Sequence, residues 1–195
     1  MKQLLRAVLA ASLLGAAAAA PGAGSAVHYV SDAAHSSLEF SFTQAGAQNQ
    51  GRFKSFPVVF DFAPDALTAS RLEVTVDMNS LDTGDQERDD NLRDSDLFAV
   101  KRYPQAHYSA TQFSKAASGY EALGKLTLRG VTRELRVPFT FRTATENGAG
   151  VGYMSGKLTI RRLDFGVGQG DWKSTEWVGN DVGITFNVRL TSAAH

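Results

Sequence analysis

Asp181-Val182-Gly183-Ile184-Thr185-Phe186-Asn187-Val188-Arg189-Leu190 is the stretch whose reading decides the fold. Val182, Ile184, Phe186, Val188 and Leu190 are apolar, and Gly183, Thr185, Asn187 and Arg189 between them are not. A period of two places these sets on opposite faces of an extended chain, whereas a helix would scatter both around its axis. The segment therefore reads as a half-buried β-strand.

The same alternation recurs on both sides of it. Leu38, Phe40 and Phe42 alternate with Glu39, Ser41 and Thr43; Leu72, Val74, Val76 and Met78 with Arg71, Glu73, Thr75 and Asp77; Leu158 and Ile160 with Lys157 and Thr159. Leu126 and Leu128 lead through a turn at Arg129-Gly130 into Leu135, Val137, Phe139 and Phe141, which predicts a hairpin. Weaker runs at Val58 to Phe62 and Tyr108 to Phe113 bring the count to about eight strands, the spacing of a sandwich or barrel. One helix is expected between Asp85 and Phe98, where β-branched residues vanish and Leu92, Leu97 and Phe98 form a short apolar stripe. The seven acidic residues from Asp82 to Asp96 lack the register of a calcium loop and read as a solvated helix face. Closing the sheet removes its edges, so an all-β barrel of about eight strands is the economical architecture, with the helix as a surface or lid element joining two strands. At eight strands the interior is either filled by side chains or wide enough for one small ligand. The 12 Phe, 5 Tyr and 2 Trp suit both outcomes, and periodicity does not choose between them.

Composition narrows the chemistry. Twenty Lys and Arg balance twenty Asp and Glu, which provides no field to collect nucleic acid. No cysteine is present, which excludes a thiol nucleophile, a disulfide and a thiolate metal site. Lys2 and Arg6, the apolar run Ala7 to Ala20, and the small residues Gly24-Ser25-Ala26 form the three-part pattern of a secretory signal peptide, with cleavage expected after Ala26. The apolar run is shorter than the roughly 20 residues of a spanning helix. Residues 27–195 are expected to form one exported, mildly acidic domain with no stable membrane insertion.

No catalytic constellation emerges. Gly-x-Ser-x-Gly is absent, and His28, His35, His107 and His195 lack metal-ligand spacing, so neither a cofactor nor a metal is expected. Two alternatives stay open. One is a hydrolase or isomerase acting on a lipid with His35 or His107 as base. The other is an outer-membrane barrel, against which stands the polar ending Thr191-Ser192-Ala193-Ala194-His195.

Taken together and in order, several segments resemble the YceI-like family of periplasmic polyisoprenoid-binding, lipocalin-like proteins. They are Tyr29 to Phe40 with Asp32 and His35-Ser36, Gly51-Arg52-Phe53, Phe60-Asp61-Phe62, Ser80 to Gly84, Arg88-Asp89, Asp96-Leu97-Phe98, Lys101 to Pro104, Gly124 to Thr132, and Arg162 to Val167. The chain departs from many relatives at Thr43 to Gly46 and at Phe56-Pro57. The resemblance implies an all-β, eight-stranded antiparallel lipocalin-like barrel with one short helix near its mouth, enclosing a long apolar channel. It also implies a carrier without turnover, its ligand a prenyl quinone, isoprenoid carrier lipid or similar chain. Alternation combined with the family topology assigns the wall to Phe40, Phe42, Phe60, Phe62, Val74, Val76, Leu126, Leu128, Phe139, Phe141, Ile160, Ile184 and Phe186. Trp172 and Trp177, in the glycine-rich segment 166–179, are candidates for the mouth, and Arg162 is expected to fix that loop by pairing with Asp164. A homodimer through an exposed strand or helix is left open.

Overall fold

A computed structural model describes residues 25–192. The predicted export segment 1–26 lies outside the described residues except for Ser25 and Ala26, as does His195. Among the described residues eleven strands follow in order: β1 (Val27–Ser31), β2 (Ser37–Gln44), β3 (Ala47–Phe53), β4 (Val58–Phe62), β5 (Arg71–Asp77), β6 (Leu81–Asp82), β7 (Gln105–Ala116), β8 (Gly119–Leu128), β9 (Val131–Glu146), β10 (Ala149–Arg161) and β11 (Val178–Ser192). The one α-helix among the described residues, α1 (Gln86–Arg93), connects β6 to β7.

These strands make one closed antiparallel barrel of eight positions. β11 pairs with β2 from Val178 to Asn187 and then with β1 from Leu190 to Ser192, so β1 and β2 are two halves of one broken strand. The break, a 3-10 turn at Ala33–His35, leaves Val188 and Arg189 of β11 without a ladder partner on that side, although both pair with β10 on the other. Arg189 makes good that loss. Its carbonyl accepts from the Asp32 amide at 2.8 Å and its Nη1 donates to Asp32 Oδ2 at 2.6 Å. β3 and β4 are likewise halves of one position, interrupted at Phe56-Pro57, and the amides of Thr75 and Asp77 bridge the interruption by donating to Pro57 and Ser55 carbonyls. Proline supplies no donor, so the ladder passes it only through its carbonyl.

Two strands escape the alternation rule. β1 is short, and β3 presents Ala47-Gln48-Asn49-Gln50, which is polar on both faces; it forms because the two-residue turn Ala45-Gly46 folds it directly onto β2. Both turn residues have positive φ, 49° and 79°, as do Arg129-Gly130 at the predicted β8–β9 hairpin and Asn147-Gly148 between β9 and β10. Left-handed pairs of this kind twist with the strands they join.

The helix is shorter than the expected 85–98. Asp85 caps it, accepting from the Arg88 amide at 3.0 Å, and it ends at Arg93. Residues 94–103 continue as turns that bury Leu97, Ala99 and Val100. Nor is the acidic cluster uniformly solvated. Asp89 is buried and accepts from Thr83 N and Thr83 Oγ1 at 2.9 and 2.7 Å, which moors the helix to the end of β6. Asp82 lies against Lys54 and Arg52, whose hydrogen bonds hold its carboxyl far below the usual carboxylate range.

Candidate functional site

The barrel interior divides along its axis into a solid half and an open half. In the solid half Phe60 and Phe62 of β4, Phe139 and Phe141 of β9, Phe113 of β7 and Tyr120 of β8 form one aromatic plug. Phe60 meets the edges of Phe139 and Phe141 at centroid distances of 5.8 and 5.6 Å, and Phe62 lies 4.8 Å from Phe141. Such edge-to-face contacts add to the burial of each ring. Phe60 is entirely inaccessible to solvent and Phe62 nearly so.

Beyond the plug the inward residues shrink to Val74 and Val76 on β5, Ala106 on β7, Leu126 on β8 and Val182 and Ile184 on β11. Space opens there as an apolar cavity of about 400 Å³. Its wall includes Phe40, Phe42, Val74, Val76, Leu126, Leu128, Ile160, Ile184 and Phe186, with Trp172 across its end. The expected wall thus separates into two groups: Phe60, Phe62, Phe139 and Phe141 point inward but belong to the plug and do not border the cavity. Trp177 does not border it either and is 68% exposed. Alternation assigned the face correctly and left the depth undetermined. The filled and hollow interiors that the sequence could not separate both occur, one above the other.

Several lining residues were missed. Phe53, Phe56, Leu92, Phe98 and Val178 lie at strand ends, at a break or in the helical segment, where a period of two is not expressed, whereas Met78 and Val137 continue alternating runs that the wall assignment left out, and Met154 lies within the regular strand β10. Tyr108 also borders the cavity; its hydroxyl donates to the carbonyls of Ala122 and Leu135 at 3.0 and 3.3 Å, and burial raises its pKa well above the ordinary phenol value.

The rim is polar. Gln44 at the end of β2 and Asp85, Glu87, Arg88 and Asn91 on or beside α1 border the opening. Arg88 lies 3.6 Å from Asp85. Arg162, just after β10, is buried and was expected to pair with Asp164. It does not. Its guanidinium instead donates five hydrogen bonds to main-chain carbonyls: Nε to Gly179, Nη1 to Val167 and Trp172, and Nη2 to Ser174 and Val178, all within 3.0 Å. Asp164 lies 3.9 Å from Arg161. One side chain thereby gathers the loop between β10 and β11 and sets Trp172 over the cavity. Gly168 comes close enough to Arg162 that a Cβ would collide with the guanidinium, and its φ of 113° admits only glycine without strain.

Among the described residues no histidine reaches this space. His35 pairs with Asp32 at 2.8 Å, His107 with Glu73 at 2.9 Å and His28 with Asp61 at 2.6 Å, and none of them borders the cavity. Among the described residues no group of three His, Asp or Glu side chains is placed to hold a metal ion.

The comparisons with known proteins agree with this architecture. A family model described as the YceI-like domain matches residues 29–190. A UPF0312 protein of Shewanella baltica is 34% identical over 173 residues, covering 85% of this chain and 87% of its own, and one of Pseudomonas aeruginosa is 31% identical over 170 residues, covering 84% and 88%. The crystal structure of BcnA from Burkholderia cenocepacia superposes with a TM-score of 0.75 at 33% identity, spanning 82% of this chain and 98% of that one. A domain from Saccharophagus degradans, described as polyisoprenoid-binding, shares the fold with a TM-score of 0.65 at 18% identity, covering 86% and 99%. With its barrel, cavity and matched sequence, this chain belongs to the YceI-like family.

Proposed function

We propose that this protein is an exported carrier that sequesters a polyisoprenoid or similar long apolar chain in its barrel and performs no turnover. The observation that carries the reading is the cavity of about 400 Å³, walled by Phe40, Phe42, Val76, Leu126 and Ile184 and open at a polar rim. Moving a prenyl chain from water into such a wall gains roughly 0.8 kcal/mol per buried CH₂, so binding needs no charged anchor inside. At the rim Asp85 and Glu87 outnumber Arg88, which suits a neutral head group such as a quinone better than a diphosphate. The fold shared with a domain described as polyisoprenoid-binding supports the same ligand class. Export to the periplasm, from the segment 1–26, completes the proposal.

The test is mass spectrometry of the organic extract of the protein, purified without detergent from its native compartment beside a mock purification. A stoichiometric prenyl species is expected. An empty extract from well-folded protein that also fails to bind added prenyl quinone would refute the carrier reading.

A further inference from the structure

Trp177 is the one exposed aromatic among the described residues; the other large apolar side chains left in solvent are Val27, Val30 and Val59. It stands beside the cavity opening. Its carbonyl accepts from the Ala45 amide at 2.7 Å, which ties it to the β2–β3 turn, and its chain neighbour Val178 and the turn's Gln44 both border the cavity. The hairpin it touches carries no charge from Phe40 to Gly51, twelve residues in a chain that is 21% charged, and Ala45, Gly46, Ala47 and Gln48 at its tip are exposed. An exposed indole beside an uncharged hairpin tip matches the headgroup level of a bilayer, where tryptophan places its ring among apolar groups and its N–H among polar ones. The hairpin has no lysine or arginine, and in the loop of Trp177 the exposed Lys173 is outnumbered by Asp171 and Glu176, which argues against attraction to an anionic surface.

We infer that Trp177 and the β2–β3 turn are the surface by which this protein docks on a neutral lipid bilayer, mouth first, to exchange its cargo. The exchange rests on the carrier reading above; docking does not require cargo to be present. Interfacial docking shortens the path an insoluble chain travels through water, so its effect falls on loading rate and not on equilibrium affinity.

The experiment is flotation of the protein with phosphatidylcholine vesicles, together with loading of prenyl quinone from the same vesicles. Wild type is expected to float, with its emission quenched by brominated phosphatidylcholine. Trp177→Ser and Ala47→Asp are expected to lose flotation and load about fivefold more slowly, at unchanged affinity for quinone added from ethanol. Trp177→Tyr should restore both. Equal flotation and loading by wild type and Trp177→Ser would overturn the inference, as would a Trp177-dependent dimer in sedimentation without flotation, which would assign the apex to a second copy. Flotation without any quinone uptake would leave docking standing and remove the carrier reading instead.

Discussion

Nη1 of Arg162 donates to the carbonyl oxygen of Trp172 at 2.7 Å, so a buried side chain at the end of β10 holds in place the residue that roofs the cavity. No carboxylate faces this guanidinium. Its charge is solvated by five main-chain dipoles, and although burial lowers its pKa, a guanidinium remains charged under all ordinary conditions. The arrangement stabilises the loop without placing a carboxylate, and hence a second buried charge, beside an apolar chamber.

Replacing Arg162 by alanine removes the side-chain donor from five main-chain carbonyls, each costing about 1–3 kcal/mol if it is left buried and unpaired. Arg162→Ala is expected to lower stability by about 3 kcal/mol or more, read as a fall in the urea midpoint at constant slope. Arg162→Lys should recover only part of this, because an ammonium has three donors and no fork. Near-wild-type stability in both variants would show that the loop holds itself.

The plug and the cavity wall should respond differently to truncation. Phe62→Ala and Phe139→Ala remove tightly packed rings, for which about 3–5 kcal/mol is expected, while affinity for a prenyl chain is retained wherever the variant stays folded. Urea unfolding beside ligand titration separates the two readouts.

Filling the open half should produce the converse. Ile184→Trp occupies the chamber, with an expected stability change within about 1–3 kcal/mol and a loss of apolar-ligand affinity of at least about tenfold. Unaltered affinity would place the ligand elsewhere.

Acid should act first where β1 is broken. Hydrogen bonds from Tyr153 and Arg189 lower the pKa of Glu146, and His35 and Arg189 lower that of Asp32. Carboxyls depressed in the folded state stabilise above their unfolded values, near 4, and that contribution disappears as pH falls through the folded ones. The urea midpoint should therefore decline below about pH 4, and Arg189→Met should flatten the decline. Tyr108 has the opposite sign. Its raised pKa makes its contribution full below about pH 10 and lost at higher pH, as the unfolded chain ionises its phenol first.

The sequence by itself determined the all-β class, the inward faces of the regular strands, the β8–β9 turn and the presence of a helix after Asp85. These depend on neighbours one or two positions away, and a period of two records them directly. It also assigned inward the plug residues Phe60, Phe62, Phe139 and Phe141 and nine residues of the cavity wall without separating them, and it left out Tyr120 and much of the lining. β7 shows why. Ala106, Tyr108 and Ala110 face inward, a bulge between Ala110 and Gln112 shifts the register, and Phe113 then joins the plug at the opposite parity. The tertiary structure alone decided which inward residues share a level of the barrel, and hence where rings fill the axis and where Val, Ala and Leu leave it empty. It alone paired Arg162 with carbonyls up to seventeen residues away and set Trp177 beside Ala45. Depth along a closed barrel is a relation among eight strand positions at once, and no local period carries it.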